Sequence, residues 1–331
     1  MYLFLFIKEH GMCWQLINKL IITFILMKKI LGSFLLLLVS MLAYGHGGSN
    51  YVHSDFFASM KPGDKAALLM VHFGTTYNDT RTQTIDVINQ KAKAAYPKVE
   101  FREAWTSRIV LRRLKAKGFN RQNPQEALEA LRAEGFTHIL IQSSNIVEGV
   151  EMESLHRDVL AVKKYFKDIR VGNPLLYEPE DYEKVIDIIT KKGIKNGATV
   201  LVGHGTYSPT TAQYAMFDYM LKAKGFKNFI VGTLEGYPTY DNMLAQLKAL
   251  KVKNVLLMPF MFVAGDHANN DIAGDWKEKL EKEGFKVDVL MEGLGQDPDI
   301  QNLFIDHIDV SVHHKKLDII EKKKVYSKAK D

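Results

Sequence analysis

Short apolar runs alternate with amphipathic stretches of helical length through most of the chain, and this alternation restricts the fold more than any other feature. The runs include 66–71, 137–142, 198–202, 228–232 and 254–262. Strands buried on both faces read as continuous apolar runs, and runs separated by helices pair in parallel through right-handed crossovers. The expected fold class is α/β, with parallel sheets flanked by helices. The first run continues as His72-Phe73-Gly74-Thr75-Thr76, and the run from Ala198 continues as Gly203-His204-Gly205-Thr206. Strand, His, Gly and Thr recur in that order, which suggests an internal duplication. Two such halves make two similar α/β lobes with a cleft between them.

In open α/β sheets the residues just past the carboxyl ends of parallel strands face the ligand crevice. His204, Glu235 and His267 stand after successive runs of the second half. Two imidazoles and a carboxylate suit a borderline divalent metal. Taken singly, a histidine after a strand is as often a hydrogen-bonded structural residue, and Glu235 could cap the next helix. Donors at successive strand ends form the stronger pattern. Asp266, Asn270, Asp271 and Asp275 are candidates to orient His267, while Asp271 and Asp275 serve equally well as dipole-complementing charges at a helix start. Thr75, Thr76 and Thr206, with the helix N-termini behind them, offer donors for anionic groups of a ligand. His72 points at the cleft from the first half and is read as either structural or ligand-facing. His138 reads as a core residue, His156 as an exposed one, and each of Arg81, Arg108, Arg112 and Arg113 singly as solvated surface.

The segments Gly203-His204-Gly205-Thr206, Glu235-Gly-Tyr-Pro238 and His267-Ala-Asn-Asn-Asp-Ile-Ala-Gly-Asp275 resemble the signature segments of the anaerobic-type sirohydrochlorin cobaltochelatases, which are class II chelatases. The likeness runs from about Ala66 to about Ile308. It implies a two-lobed chelatase fold and a lyase that inserts Co²⁺ into sirohydrochlorin or a related tetrapyrrole, with Fe²⁺ or Ni²⁺ as alternatives. It also implies that His204, Glu235 and His267 bind the metal, one of the histidines helping to remove pyrrole protons. Sirohydrochlorin is an octacarboxylate, so Thr75, Thr76, Thr206 and His72 become candidate tetrapyrrole contacts. Where many members of the family carry a histidine, this chain has Asn145, and a neutral amide is a poor metal ligand or proton acceptor. The competing readings are an exported tetrapyrrole or metal carrier on the same fold, and a plain periplasmic ligand-binding protein.

Composition narrows the partners. The chain has 331 residues, 47% hydrophobic, with a formal charge of +6. The N-terminal 45 residues carry Lys8, Lys19, Lys28 and Lys29 against Glu9, and lysines between 315 and 330 supply much of what remains. The body is close to neutral, so nucleic acid has no support. The turns lack G-x-G-x-x-G and G-x-x-x-x-G-K-[ST], so no nucleotide is implied. The single cysteine, Cys13, excludes a disulfide framework and cysteine-ligated metal. A homo-oligomer is compatible with the sequence.

From Met27, lysines 28 and 29, an apolar run and small residues at Ala43 and Gly45 form a secretory signal peptide (27–45), with cleavage near Gly45–His46 and a periplasmic destination. Residues 1–26 are read as an N-terminal extension upstream of the true start, the alternative being an uncleaved anchor. Membrane contact is expected through this segment alone. The remaining division is a flexible lead over 46–64, a first lobe over 65–178, a second lobe with the metal site over 179–310, and a solvated lysine-rich tail over 311–331. Helices are expected over 79–95, 107–117, 151–167, 180–192, 210–224, 240–250, 270–283 and 297–309, with another opened by Asn123-Pro124 as N-cap and first residue.

Overall fold

The computed structural model describes residues 50–328. The signal segment, the residues before it and Cys13 lie outside that range. Residues 51–316 form one compact unit, and the described residues Asn50 and 317–328 belong to a second one.

In the larger unit the order is β1 (Tyr51–His53), β2 (Ala66–His72), α1 (Asn78–Gln83), α2 (Ile85–Ala95), β3 (Glu100–Trp105), α3 (Arg108–Ala116), α4 (Pro124–Ala133), β4 (His138–Ser143), α5 (Val150–Val162), β5 (Asp168–Val171) and α6 (Pro179–Ile189). It continues with β6 (Ala198–Gly205), α7 (Ala212–Ala223), β7 (Phe229–Glu235), α8 (Tyr240–Leu250), β8 (Asn254–Phe260), a π-helix (Ala268–Trp276), α9 (Lys277–Lys282), β9 (Lys286–Val289), α10 (Pro298–His313) and β10 (His314–Lys316). The strands make two four-stranded parallel sheets, ordered β3-β2-β4-β5 and β7-β6-β8-β9. Each lobe repeats the same order, so the α/β expectation of two similar parallel-sheet lobes holds.

Each sheet is covered on both faces, which is why its strands read as unbroken apolar runs. Leu68, Met70, Leu140, Leu201, Val231, Met258 and Phe260 point into one core shared by the lobes, together with Tyr182, Phe217 and Phe304. The alternate residues face outward. Ala67, Leu69, Val71, Ile139 and Ile141 pack on α4 and α5, while Ala198, Val200, Val202, Ile230 and Leu257 pack on α8 and the π-helix.

Several elements differ from the sequence expectation, each for a local reason. The helix expected over 79–95 breaks at buried Thr84, whose hydroxyl bonds back to the Thr80 carbonyl at 2.6 Å and leaves its own backbone at φ −124°. The helix expected over 270–283 begins as the π-helix, with Ala268, Ile272 and Trp276 buried on one side. The last helix runs on to His313. Its far end is held by buried Arg170, whose guanidinium donates to the carbonyls of Ser54, Ser311 and Val312 and pairs with Asp168. Beyond it β10 pairs antiparallel with β1, His53 opposite His314. Residues 311–316 are therefore built into the fold, where a solvated tail was expected, and 51–53 form a strand within the expected flexible lead. In the smaller unit, Ile319–Lys328 is helical (α11).

Candidate metal and tetrapyrrole site

The order β7-β6-β8-β9 puts a topological switch between β6 and β8, because the connection after β6 leads to one side and that after β8 to the other. His204 is the penultimate residue of β6, and His267 closes the loop after β8. The glycines around His204 follow from geometry. A Cβ on Gly203 would lie 2.4 Å from the Tyr214 ring. Gly205 has φ +83°, and a Cβ there would lie 1.6 Å from the Glu235 carbonyl oxygen. Only glycine lets the ends of β6 and β7 approach so closely.

His204 and His267 meet edge to face, with ring centroids 4.7 Å apart and planes at 83°. The Nδ1 of His204 lies 3.1 Å from the Gly205 carbonyl oxygen. The Nδ1 of His267 lies 2.7 Å from Oδ2 of Asp271, one turn on. A carbonyl and a carboxylate only accept, so each ring carries a proton on Nδ1, and in the neutral ring Nε2 keeps its lone pair. An imidazole held through Nδ1 by a carboxylate is the usual arrangement of a metal-ligating histidine. Of Asp266, Asn270, Asp271 and Asp275, the candidates for this orienting role, Asp271 is the one that makes the contact, although a helix-dipole charge was an equal reading for it.

Glu235 ends β7 opposite Gly205 and is half-buried. Its carboxylate has no ion-pair partner among the described residues. No group of three His, Cys, Asp or Glu side chains among the described residues stands close enough to hold a metal ion. The structure thus brings the imidazoles together and leaves Glu235 on the adjacent strand end, outside ligating geometry.

The tetrapyrrole candidates divide differently. Thr75 and Thr206 occupy matching turns after β2 and β6, where each hydroxyl accepts a backbone N–H two residues on, from Tyr77 and Ser208. Both are buried. Thr75 also abuts Gly265 of the loop that carries His267. Thr76 is half-buried beside it. His72 does not face the cleft. It is 1% exposed, its Nδ1 pairs with Ser144 Oγ and its Nε2 with Asn89 Oδ1, each at 2.9 Å, and it stacks on Phe262. Burial pushes its pKa down, so it stays a neutral brace beneath the site. His138 is a satisfied core residue, as read from the sequence.

The first lobe reaches the site through Asp266, next to His267. Tyr77 Oη donates to Asp266 Oδ1 at 3.3 Å, Asn270 donates to the same oxygen, and Arg113 pairs with Oδ2 at 3.6 Å. Sequence reasoning missed a second carboxylate–imidazole pair, Glu148 with His156 Nε2 at 2.7 Å, beside Ser208 and Thr210 in a cleft of about 450 Å³. Burial alone would push the Glu148 carboxyl up, but His156 and the Lys316 charge hold it below its ordinary range. The pair spans a loop and a helix, so no local spacing marks it.

A family model described as cobalt chelatase (CbiK) matches residues 66–313. The sirohydrochlorin cobaltochelatase of Salmonella typhimurium is 34% identical over 252 residues, 74% of this chain and 95% of that protein. A sirohydrochlorin cobaltochelatase of Nitratidesulfovibrio vulgaris is 30% identical over 261 residues, 76% of this chain and 92% of that protein. Among solved structures, SirB from Bacillus subtilis with Fe³⁺ superposes with a TM-score of 0.54 at 16% identity, over 75% of this chain and 96% of that one. The sirohydrochlorin chelatase SirB of Bacillus subtilis subspecies spizizenii in complex with cobalt gives 0.52 at 14% identity, over 75% and 95%.

Proposed function

The chain belongs to the cobalt chelatase family, and from that premise we propose that it inserts Co²⁺ into sirohydrochlorin, with His204, Glu235 and His267 serving the metal. The observation that carries the site assignment is the imidazole pair at the β6/β8 switch, each ring engaged through Nδ1 and presenting Nε2.

Insertion exchanges a divalent cation for the pyrrole N–H protons, so the site must offer both a ligand and a base. An Nε2 lone pair serves as either but not as both at once. His267, tied to Asp271, suits the ligand role because the carboxylate raises its basicity toward metal. His204, whose Nδ1 faces only a backbone carbonyl, is left to take a pyrrole proton, the general-base role that imidazole fills most often. Glu235, one strand over, would join as the cation arrives and offset its charge. Fe²⁺ and Ni²⁺ are competing substrates, since imidazole accepts both. The first segment supports export: the lysines and apolar run over 27–45 are those of a secretory signal, and we infer a periplasmic enzyme.

The test is metal-insertion kinetics with sirohydrochlorin for the chain from His46 onward, against His204→Ala and His267→Ala. Insertion well above the spontaneous rate, reduced by about 10²-fold or more in each variant, is the expected result. Tight tetrapyrrole binding without acceleration would replace the enzyme by a carrier. For export, fractionation of cells expressing the full chain should place it in the periplasm, and deletion of 27–45 should retain it in the cytoplasm. Equal distribution of both forms would overturn the signal assignment.

A further inference from the structure

Helix α3 carries cations on separate faces. Arg113 reaches across to Asp266, beside His267. Arg108, Leu111, Arg112 and Lys115, spaced as one helical stripe, line a cleft of about 780 Å³ closed opposite by residues 120–126. That volume falls in the range of small-molecule sites. The cleft opens at the carboxyl end of β3, where Trp105 N–H donates to the Gln122 carbonyl and Ser107 caps α3. It shares that end of the sheet with the Phe73–Tyr77 turn, and α3 is the wall between it and Asp266.

The charges facing the cleft are unequal. Arg108, Arg112, Lys115 and Arg121 oppose Glu126, whose carboxylate is already occupied by the Asn123 backbone N–H in a capping box. Arg121 lies over the Trp105 ring at 5.3 Å, with Glu103 at 3.9 Å, and Asp158 of α5 lies in the field of Arg108. Arg112 and Lys115 have no acidic partner among the described residues. Asn120 and Gln122 add amide groups to the wall, while the Gln125 amide donates to Glu129. Guanidinium forks and amide N–H groups converging on a cleft of this size suit a ligand with several carboxylates, because guanidinium pairs with each in a bidentate way.

We propose that this groove is a polycarboxylate-binding site that captures the acid arms of the tetrapyrrole at the mouth of the cleft. The identity of the ligand rests on the chelatase reading; the binding of polycarboxylates by the groove does not. Such a site raises the local concentration of an anionic substrate and falls in strength with salt.

The probe is mellitate, benzenehexacarboxylate, titrated calorimetrically into the chain from His46 onward, with inorganic phosphate as the parallel titrant. These surface positions are compared with Arg112→Gln/Lys115→Gln, and circular dichroism confirms the variant's fold. Mellitate should bind more tightly than phosphate, weaken steeply with salt, and lose about tenfold in the variant. The KM for sirohydrochlorin should rise by a similar factor while kcat holds. Equal mellitate binding by parent and variant would overturn the site, as would phosphate binding as well as mellitate with KM unmoved. Loss of mellitate binding in the variant of a chain that inserts no metal would support the groove while removing the chelatase reading.

Discussion

Removing the Asp271 carboxylate tests the site most directly, because it touches no metal and acts only through His267. The Nδ1–Oδ2 distance is 2.7 Å, and hydrogen bonds to charged groups contribute about 1.5–3 kcal/mol. The side chains of His267 and Asp271 are 42% and 39% exposed, so water screens the pair and the lower end applies. In Asp271→Ala the ring also gains freedom to place its proton on Nε2, where no lone pair would remain for metal. A loss of about 1.4 kcal/mol corresponds to tenfold, within the range found when a ligand's hydrogen-bonding partner is removed. Co²⁺ affinity by calorimetry and kcat/KM for insertion should both fall by about that factor. Asp271→Asn keeps an acceptor for Nδ1–H, so its loss should be smaller. If both variants stay within about twofold of the parent, His267 is not oriented through Nδ1 and the assignment of its Nε2 lone pair falls.

Gly205→Ala should abolish most insertion while leaving far-ultraviolet circular dichroism intact, because the new Cβ would sit 1.6 Å from the Glu235 carbonyl oxygen and force the ends of β6 and β7 apart; unchanged activity would refute that constraint. Arg170→Met should cost about 3–5 kcal/mol in urea denaturation, since it leaves the Asp168 carboxylate unpaired, and a loss below about 1 kcal/mol would show that this anchor of α10's far end is incidental. Burial holds the folded-state pKa of His72 below its ordinary value of about 6.5. The unfolded chain therefore takes up the proton first, and stability, complete above about pH 6.5, declines as pH falls below it, by at most about 1.4 kcal/mol per pH unit. His72→Gln should flatten that decline between pH 7 and 5, and parallel stability curves would refute it.

The lobes were legible because a parallel strand covered on both faces leaves an unbroken apolar run, as at Ala66–His72 and Asn254–Phe260. The meeting of His204 and His267 was legible because strand carboxyl ends are where such sheets present ligands. Three features were not. The π-winding of Ala268–Trp276 depends on hydrogen-bond spacing that its composition does not announce. The stretch 311–316 lacks apolar periodicity and is ordered by Arg170, more than 140 positions earlier in the chain, and by pairing with Tyr51–His53. The arginines of α3 each read as solvated surface, and only the return of residues 120–126 groups them around a cleft.

His72 shows why matching motifs can mislead. The duplication suggests aligning His72 with His204, since both precede Gly and Thr. Yet Thr75 and Thr206 make the same turn, and counting back from them places Gly74 on Gly205 and Phe73 on His204. The first lobe's histidine is one residue early, and in a strand one residue reverses the face. His72 shares the parity of Leu68 and Met70, which point into the common core, whereas His204 shares that of Val200 and Val202, which point to the opposite side of their sheet. Burial then does the rest: one imidazole is locked between Ser144 and Asn89, and the other keeps an open Nε2. Phe73, the true counterpart of His204, lies near it with ring centroids 6.5 Å apart and planes tilted by 45°. The repeated architecture supplies two equivalent positions close together, and the chain gives the imidazole to one and an apolar ring to the other.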